Sequence, residues 1–195
     1  MENLIEIAIL GGGGFLAFLI IIFTITRLYR RASKEVAFVR TGVGGEKVIM
    51  NGGALVFPVL HETMPVNMNT VRLAVERKNQ DALITLDRLR IDVKAEFYVR
   101  VRPDSTAIAM TAQTLGQRTM HPELLKDLVE GKFVDALRSA AAGMSMNELH
   151  EQRADFVQKV QQVSSNDLAM NGLELESVSL TGLDQTSIEH FNANN

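Results

Sequence analysis

An uncharged stretch of 19 residues near the N-terminus constrains this chain more than any other feature. It covers residues 7–25 and reads IAILGGGGFLAFLIIIFTI. At a rise of about 1.5 Å per residue, a helix of this length is roughly 28 Å long, close to the ~30 Å hydrocarbon thickness of a bilayer. The length therefore predicts a single transmembrane helix over residues 7–26.

The composition of this stretch favours insertion into lipid. Each Ile, Leu or Phe contributes about 0.3 to 0.6 kcal/mol of insertion free energy at mid-helix, which outweighs the cost of the glycines. The side chains predicted to span the membrane are Ile7, Ile9, Leu10, Phe15, Leu16, Phe18, Leu19, Ile20, Ile21, Ile22, Phe23 and Ile25. Gly13 and Ala17 lie one turn apart and predict a small-residue face for packing a second helix, although membrane helices also simply tolerate glycine.

Two other interpretations of the stretch are less consistent with the sequence. A core helix that is apolar on every side needs a large protein around it, and only about 165 residues follow. A cleaved signal peptide begins with basic residues, whereas Glu2 and Glu6 stand here, and no small-x-small site precedes Arg27. We therefore expect a retained anchor.

The charges that flank the stretch predict its orientation. Basic residues follow it, at Arg27, Arg30, Arg31 and Lys34, while two glutamates precede it. By the positive-inside rule, residues 1–6 lie outside the cytoplasm, residues 27–34 form a basic juxtamembrane linker, and the remaining chain is cytoplasmic.

Composition excludes several classes of function. The formal net charge is −3 at pH 7, and a nucleic-acid surface needs a basic patch, so we expect no nucleic-acid partner. The chain contains no cysteine, which rules out disulfides, thiolate chemistry and S-palmitoylation.

Residues 35–118 have the pattern of a strand-rich lobe. From residue 91 to residue 101, apolar and polar side chains alternate without interruption, which is typical of an antiparallel strand with one buried face. The dipeptide Asn51-Gly52 predicts a hairpin turn between the flanking apolar runs. Further strands are predicted at residues 35–41, 47–50, 66–75 and 82–85.

An apolar run over residues 54–60 has two interpretations. It is either a core strand or, in a domain held against a bilayer, a segment that dips into the membrane interface. For the second interpretation the inserting side chains are Val56, Phe57, Val59 and Leu60.

The period changes to that of helices in residues 119–195. A helix capped by Asp104 or Ser105 precedes this lobe, Pro122 begins a long helix that Gly143 ends, and Ser145 with Glu148 has capping-box spacing. A closing strand follows at residues 173–180. Strands, then helices, then a strand predict an α+β domain.

No motif for catalysis is present. The histidines lack metal-ligand spacing, and Ala154 stands where a zinc protease helix beginning at His150 needs its second histidine. No GxSxG motif occurs. We therefore predict that the chain is not an enzyme and has no metal, cofactor or catalytic residues; its histidines are His61, His121, His150 and His190.

Several segments together resemble the band 7 (SPFH) domain shared by stomatins, prohibitins and flotillins. They are FVRTG at 38–42, GGALVFPVLH at 52–61, NMNTVRLAV at 67–75 and GLELESVSL at 172–180. The second and third are most similar to the bacterial flotillin branch that carries a transmembrane helix. The resemblance implies a band 7 domain over residues 35–195, with an antiparallel sheet and packed helices.

The resemblance also implies a function. Similar proteins homo-oligomerise into large rings or cages on the bacterial inner membrane, organise a lipid and protein microdomain, and are paired with an NfeD-like membrane protein. A coiled coil is expected downstream of the domain and is absent from these 195 residues. The alternative is an adaptor that encloses or regulates a membrane-bound protease or another integral membrane protein. Relatives of that kind hold their domain outside the cytoplasm, so the basic residues after the helix favour the scaffold.

Overall fold

The computed structural model describes residues 2–187, with side chains from residue 11 onward. Its first element is a long helix, α1, Glu2–Leu28, which contains the whole of the predicted span. The end of the predicted domain, including His190, lies outside the described residues, as does Met1.

Nine strands and four further helices follow α1 within residues 2–187. The strands are β1 Tyr29–Arg31, β2 Val36–Gly42, β3 Lys47–Ile49, β4 Gly53–Leu55, β5 His61–Asn67, β6 Val71–Arg77, β7 Leu83–Ile84, β8 Arg90–Val101 and β9 Leu173–Gln185. The helices are α2 Ser105–Thr114, α3 Pro122–Ala142, α4 Met146–Glu151 and α5 Arg153–Ala169, with short 3₁₀ turns at Asn79–Asp81 and Gly116–Met120.

The first half of the domain contains a three-stranded antiparallel sheet and a separate two-stranded ribbon. The sheet has the order β3-β2-β5, and the ribbon pairs β1 with β4. The predicted hairpin at Asn51-Gly52 is therefore wrong, because the strands on its two sides pair with different partners. The predicted strand over residues 66–75 is also two strands, since the chain leaves β5 at Asn67 and re-enters a sheet only at Val71.

The ribbon begins within the segment for which we expected a linker, residues 27–34. Arg27 lies in the last turn of α1, and Tyr29–Arg31 forms a strand immediately after the helix. Ala32 continues the contact, since its amide donates to the Gly52 carbonyl at 2.8 Å. The chain from α1 into the domain is thus hydrogen-bonded rather than free.

The second sheet is organised around β8. Strand β9 pairs with it over Ile91–Val101, while β6 and β7 lie along its other edge. The predicted alternation is confirmed, because Ile91, Val93, Ala95, Phe97 and the two following odd positions are all buried. Pairing along its whole length makes β8 the centre of the domain.

Helices α3 and α5 cover the apolar face of this sheet. The rings of Phe97 on β8 and Phe133 on α3 stack with centroids 4.0 Å apart and an interplanar angle of 10°. Phe156 and Val160 on α5 are also fully buried. A single apolar core includes residues from both predicted lobes, for example Val39 of β2 and Leu137 of α3.

The helix caps follow the sequence signals. The Asp104 carboxylate accepts from the Ala107 amide at 2.7 Å, so Asp104 is the N-cap of α2. Ser145 and Glu148 form the predicted capping box at the start of α4. Gly143 follows the last residue of α3, as expected.

The Phe97–Phe133 stack yields a stability prediction. Replacing Phe133 with Ala leaves a cavity beneath β8, and we expect a loss of about 3 to 5 kcal/mol in the free energy of unfolding. Thermal or urea unfolding of the detergent-solubilised chain measures it. Leu124→Ala on the exposed side of the same helix is the control, with an expected change within about 0.5 kcal/mol. Equal effects of the two substitutions would contradict the central role of the stack.

Two carboxylates at the start of α4 predict a pH dependence of stability: Asp87 joins the β7–β8 turn to this helix, and Glu148 belongs to its capping box. The Thr85 hydroxyl and then the Met146 amide lower the pKa of Asp87, and the Ser145 amide and hydroxyl lower the pKa of Glu148. Their contribution to stability is complete above the unfolded-state pKa values and is lost as the pH falls through the lower folded-state values.

We therefore expect the melting temperature of Asp87→Asn/Glu148→Gln to fall less than that of the parent chain between about pH 6 and about pH 3. Asp127→Asn is the control, because the Asp127 carboxylate forms no hydrogen bond or ion pair within residues 2–187. An unchanged pH dependence in the double variant would refute the assignment.

Candidate membrane-facing surface

Over Gly11–Leu28, helix α1 presents apolar side chains on every side and buries none of them against the domain. The segment Gly11–Leu28 has a mean hydropathy of 1.8, and no part of it is buried against the domain. Its exposed large side chains are Phe15, Leu16, Phe18, Leu19, Ile20, Ile21, Ile22, Phe23 and Ile25. A helix that is apolar all round is stable only in apolar surroundings. This is the one candidate membrane span among the residues described.

Not every predicted residue of α1 is tested by this geometry. Ile7, Ile9 and Leu10 lie in the helix, but their side chains precede the described ones. Gly13 and Ala17 are exposed, and a Cβ on Gly13 would meet nothing within 4 Å. The surface is open to a second helix, and helix packing there stays a prediction.

The end of α1 is hydrogen-bonded to the apolar run over residues 54–60. The Val56 amide donates to the Leu28 carbonyl at 2.8 Å, which satisfies one of the free carbonyl groups at the C-terminus of the helix. One residue earlier, Leu55 is the cross-strand partner of Tyr29. The turn after Val56 therefore begins at the level of the last helical residue.

The apolar run over residues 54–60 is mostly a surface turn, so the core-strand interpretation is wrong. Only Gly53–Leu55 is a strand, and the chain then turns over Pro58, Val59 and Leu60. Phe57 is 41% exposed, Val59 95% and Leu60 51%, whereas Val56 is half-buried. Three of the four residues predicted for interfacial insertion are thus displayed on the surface.

A second turn, which the sequence analysis did not single out, adds to this surface. Val43, at the tip of the glycine-rich turn after β2, is 65% exposed. His61 holds the two turns together. Its Nδ1 accepts from the Phe57 amide at 3.2 Å, so Nε2 carries the proton and donates to the Val43 carbonyl at 2.9 Å. We call Val43, Phe57, Val59 and Leu60 the apolar turn patch.

The signal for Val43 was present but weak, since it is a lone apolar residue between glycines in the sequence Gly42-Val43-Gly44-Gly45. The role of His61 had no local signal, because both its partners lie outside its own strand. Tyr29, half-exposed at the end of α1, stands where membrane helices commonly place an aromatic residue.

Four exposed basic side chains surround the same junction. Arg27 lies over the Phe23 ring at 5.6 Å, and Arg30 donates to the Thr63 hydroxyl, while Arg31 and Lys34 extend from the ribbon and the loop after it. Among the side chains of residues 11–187, no carboxylate forms an ion pair with any of the four. The junction therefore carries an uncompensated positive charge beside an apolar patch.

Comparison with known proteins identifies the family of this fold. The family described as SPFH domain / Band 7 family matches residues 32–193. The chain belongs to the SPFH/band 7 family. The fold predicted from the sequence, an N-terminal apolar helix followed by a band 7 domain with antiparallel sheet and packed helices, is confirmed.

Three curated relatives of this SPFH protein are flotillin-like. It is 62% identical to the flotillin family inner membrane protein YqiK of Escherichia coli over 169 residues, which cover 87% of this chain and 31% of the relative. It is 31% identical to the flotillin family inner membrane protein sll1021 of Synechocystis sp., over 86% of this chain and 26% of the relative. It is 28% identical to the flotillin-like protein FloT of Bacillus subtilis, over 89% of this chain and 36% of the relative. This SPFH chain thus spans about a third of the length of these relatives.

The family of this chain bears on the prediction about catalysis. SPFH proteins form a non-enzymatic scaffold family, which supports the prediction that the chain is not an enzyme. Within the described residues no group of three or more His, Asp or Glu side chains could hold a metal ion. His61 is instead committed to two backbone groups.

Gly42, the last residue of β2, lies against Leu60 in the neighbouring turn of this SPFH domain. This close contact gives a stability prediction. Its φ is +122°, and a Cβ built on it would lie 2.1 Å from the Leu60 carbonyl oxygen. We expect Gly42→Ala to lower the free energy of unfolding by more than the ~1 to 3 kcal/mol of backbone strain alone, because Leu60 must also move.

Gly44→Ala is the matched control, since Gly44 has a φ of +92° and a Cβ there would meet nothing within 4 Å. The difference between their melting temperatures in detergent isolates the contact. Indistinguishable melting temperatures would show that the two turns are not packed as described.

Proposed function

We propose that this protein is a flotillin-like membrane scaffold. Helix α1 crosses the bacterial inner membrane once, with the N-terminus outside, and the SPFH domain lies on the cytoplasmic face. Copies pack side by side into a large ring or cage that delimits a microdomain of lipid and protein. Flotillin-like names among the relatives and the unburied apolar helix support the membrane part of the proposal.

The observation that carries the proposal is the hydrogen-bonded junction between α1 and the domain. Because the Val56 amide binds the Leu28 carbonyl and β1 continues directly from the helix, the domain is held at the bilayer surface rather than on a flexible tether. In that position the apolar turn patch reaches the membrane interface, where Phe and Leu side chains are readily buried.

The direction of the helix follows from the charges at its end. Arg27, Arg30, Arg31 and Lys34 lie on the domain side, and cytoplasmic segments next to a span carry an excess of Lys and Arg. An NfeD-like membrane protein and a downstream coiled coil are the further partners and elements that the flotillin resemblance implies.

Thiol labelling tests the topology, and the absence of native cysteine makes each introduced thiol unique. We expect Asn3→Cys to react with a membrane-impermeant maleimide in intact spheroplasts, and Ser33→Cys to react only after lysis. The reverse pattern would place the domain outside the cytoplasm and favour an adaptor for a membrane protease over the scaffold.

Interfacial insertion is tested with an environment-sensitive fluorophore on Val59→Cys. Because Val59 is 95% exposed and lies on the apolar turn patch, we expect its fluorophore to emit at shorter wavelength in liposomes than the same fluorophore placed on the second sheet. Leu86→Cys is the control, since Leu86 is also exposed, at 63%, but follows β7 in the second sheet. Equal emission wavelengths at the two sites would contradict a specific membrane-facing surface.

Oligomerisation is tested by the particle mass of the detergent-extracted chain, measured by light scattering. The scaffold predicts a closed assembly of many copies, whereas a monomer or dimer at all protein concentrations would reduce the chain to a simple tether.

A further inference from the structure

We propose that Arg30 and Arg40 form a binding site for the phosphate of an anionic phospholipid headgroup, at the junction of α1 and the domain. This inference rests on the membrane placement proposed above. It concerns a specific pair of guanidinium groups, and it is distinct from the apolar contact of the turn patch.

The two arginines share neighbours because the ribbon packs on one face of the first sheet. Arg30 reaches across from β1 to the Thr63 hydroxyl on β5, and its guanidinium carbon lies 5.9 Å from the centre of the Phe38 ring. Arg40 is the cross-strand partner of Thr63, and Phe38 lies two residues before it on the same face of β2. Arg40 in turn donates from Nη1 to the Leu55 carbonyl at 2.9 Å, and Leu55 follows Ala54, the cross-strand partner of Arg30.

Neither arginine forms an ion pair with a carboxylate of residues 11–187, the part of the chain whose side chains are described. The Nε of Arg40 is buried and has no hydrogen-bond partner among those residues. Like charges without a counter-charge cost free energy, and an anion bound at the pair would offset that cost.

The position of the pair identifies the anion. Leu55, whose carbonyl accepts from Arg40, is the cross-strand partner of Tyr29, the first residue after α1. The next residue, Val56, donates its amide to the Leu28 carbonyl at the end of the helix. At the end of a membrane helix the available anions are lipid phosphates, and guanidinium groups pair with phosphate through paired N–H donors. The positive charges of Arg27 and Arg31 nearby disfavour a zwitterionic headgroup, so the site selects an anionic lipid such as phosphatidylglycerol.

Native mass spectrometry of the detergent-solubilised full chain, titrated with phosphatidylglycerol or phosphatidylcholine, measures the affinity. We expect preference for phosphatidylglycerol. We expect Arg40→Lys and Arg30→Lys, which keep the charge but remove the planar donors, to weaken its binding about tenfold or more, as loss of a charge-assisted hydrogen bond does. Thr63→Val, which frees Arg30 without changing any charge, should weaken it to a smaller extent.

Arg31→Gln is the matched control for charge alone, because Arg31 lies on the same strand one residue from Arg30. It should weaken binding by no more than about fivefold, and raised salt should abolish that difference. Far-UV circular dichroism of each variant identifies any that fail to fold. If Arg40→Lys fails to fold, Thr63→Val still tests the site.

Two results would overturn the proposal. Wild-type affinity in both lysine variants, or equal losses in Arg31→Gln and Arg40→Lys at high salt, would show a diffuse basic surface without a site. Displacement of the lipid by excess inorganic phosphate would show a site for a soluble anion instead. In either case, liposome flotation of the parent chain would still report its membrane association, and the cysteine labelling pattern its topology. Both results test the proposed function separately from the lipid site.

Discussion

The placement of every other feature depends on the hydrogen-bonded connection between α1 and the domain. A helix that ends in an open loop leaves the domain after it free to rotate and to move away from the bilayer. Here the chain passes from Leu28 into β1 without a break, and the Val56 amide returns to the Leu28 carbonyl. The ribbon therefore transmits the orientation of the helix to the sheet, the turns and the arginines around it.

The domain behind that connection is stabilised by a central strand that is buried on one face. Strand β8 pairs along both edges, and its odd-numbered side chains form the base on which α3 and α5 pack. The stacked rings of Phe97 and Phe133 fix α3 against it, and such aromatic pairs add about 0.5 to 1.5 kcal/mol beyond their buried area. The other face is polar, with Arg100 bridging Glu174 and Glu176 across two strands.

The sequence predicted elements whose signals are local. Eleven alternating residues specify β8, Ser145 and Glu148 specify the start of α4, and an uncharged run specifies α1. Prediction from the sequence failed where a strand pairs with residues far away along the chain. Asn51-Gly52 has hairpin chemistry, but Gly53–Leu55 pairs instead with residues that precede it by more than twenty positions. A Cβ on Gly53 would lie 2.6 Å from Tyr29 Cζ, a close approach that no local pattern reveals.

The candidate surface was only partly predictable for the same reason. Phe57, Val59 and Leu60 are visible as an apolar run, but their exposure depends on His61 and Gly42, which join them to Val43. Arg40 gave no signal at all, because its significance comes from Arg30 on another strand.

The order of the strands also bears on how the molecule is made. Strand β9 is the last described element and covers one edge of β8 from Val101 back to Ile91. During synthesis α1 leaves the ribosome about 150 residues before β9, so that edge of β8 is still bare when the helix is complete. An unpaired strand edge invites pairing with other chains. Nascent copies that meet would thus be most vulnerable to mispairing until residue 185 has emerged.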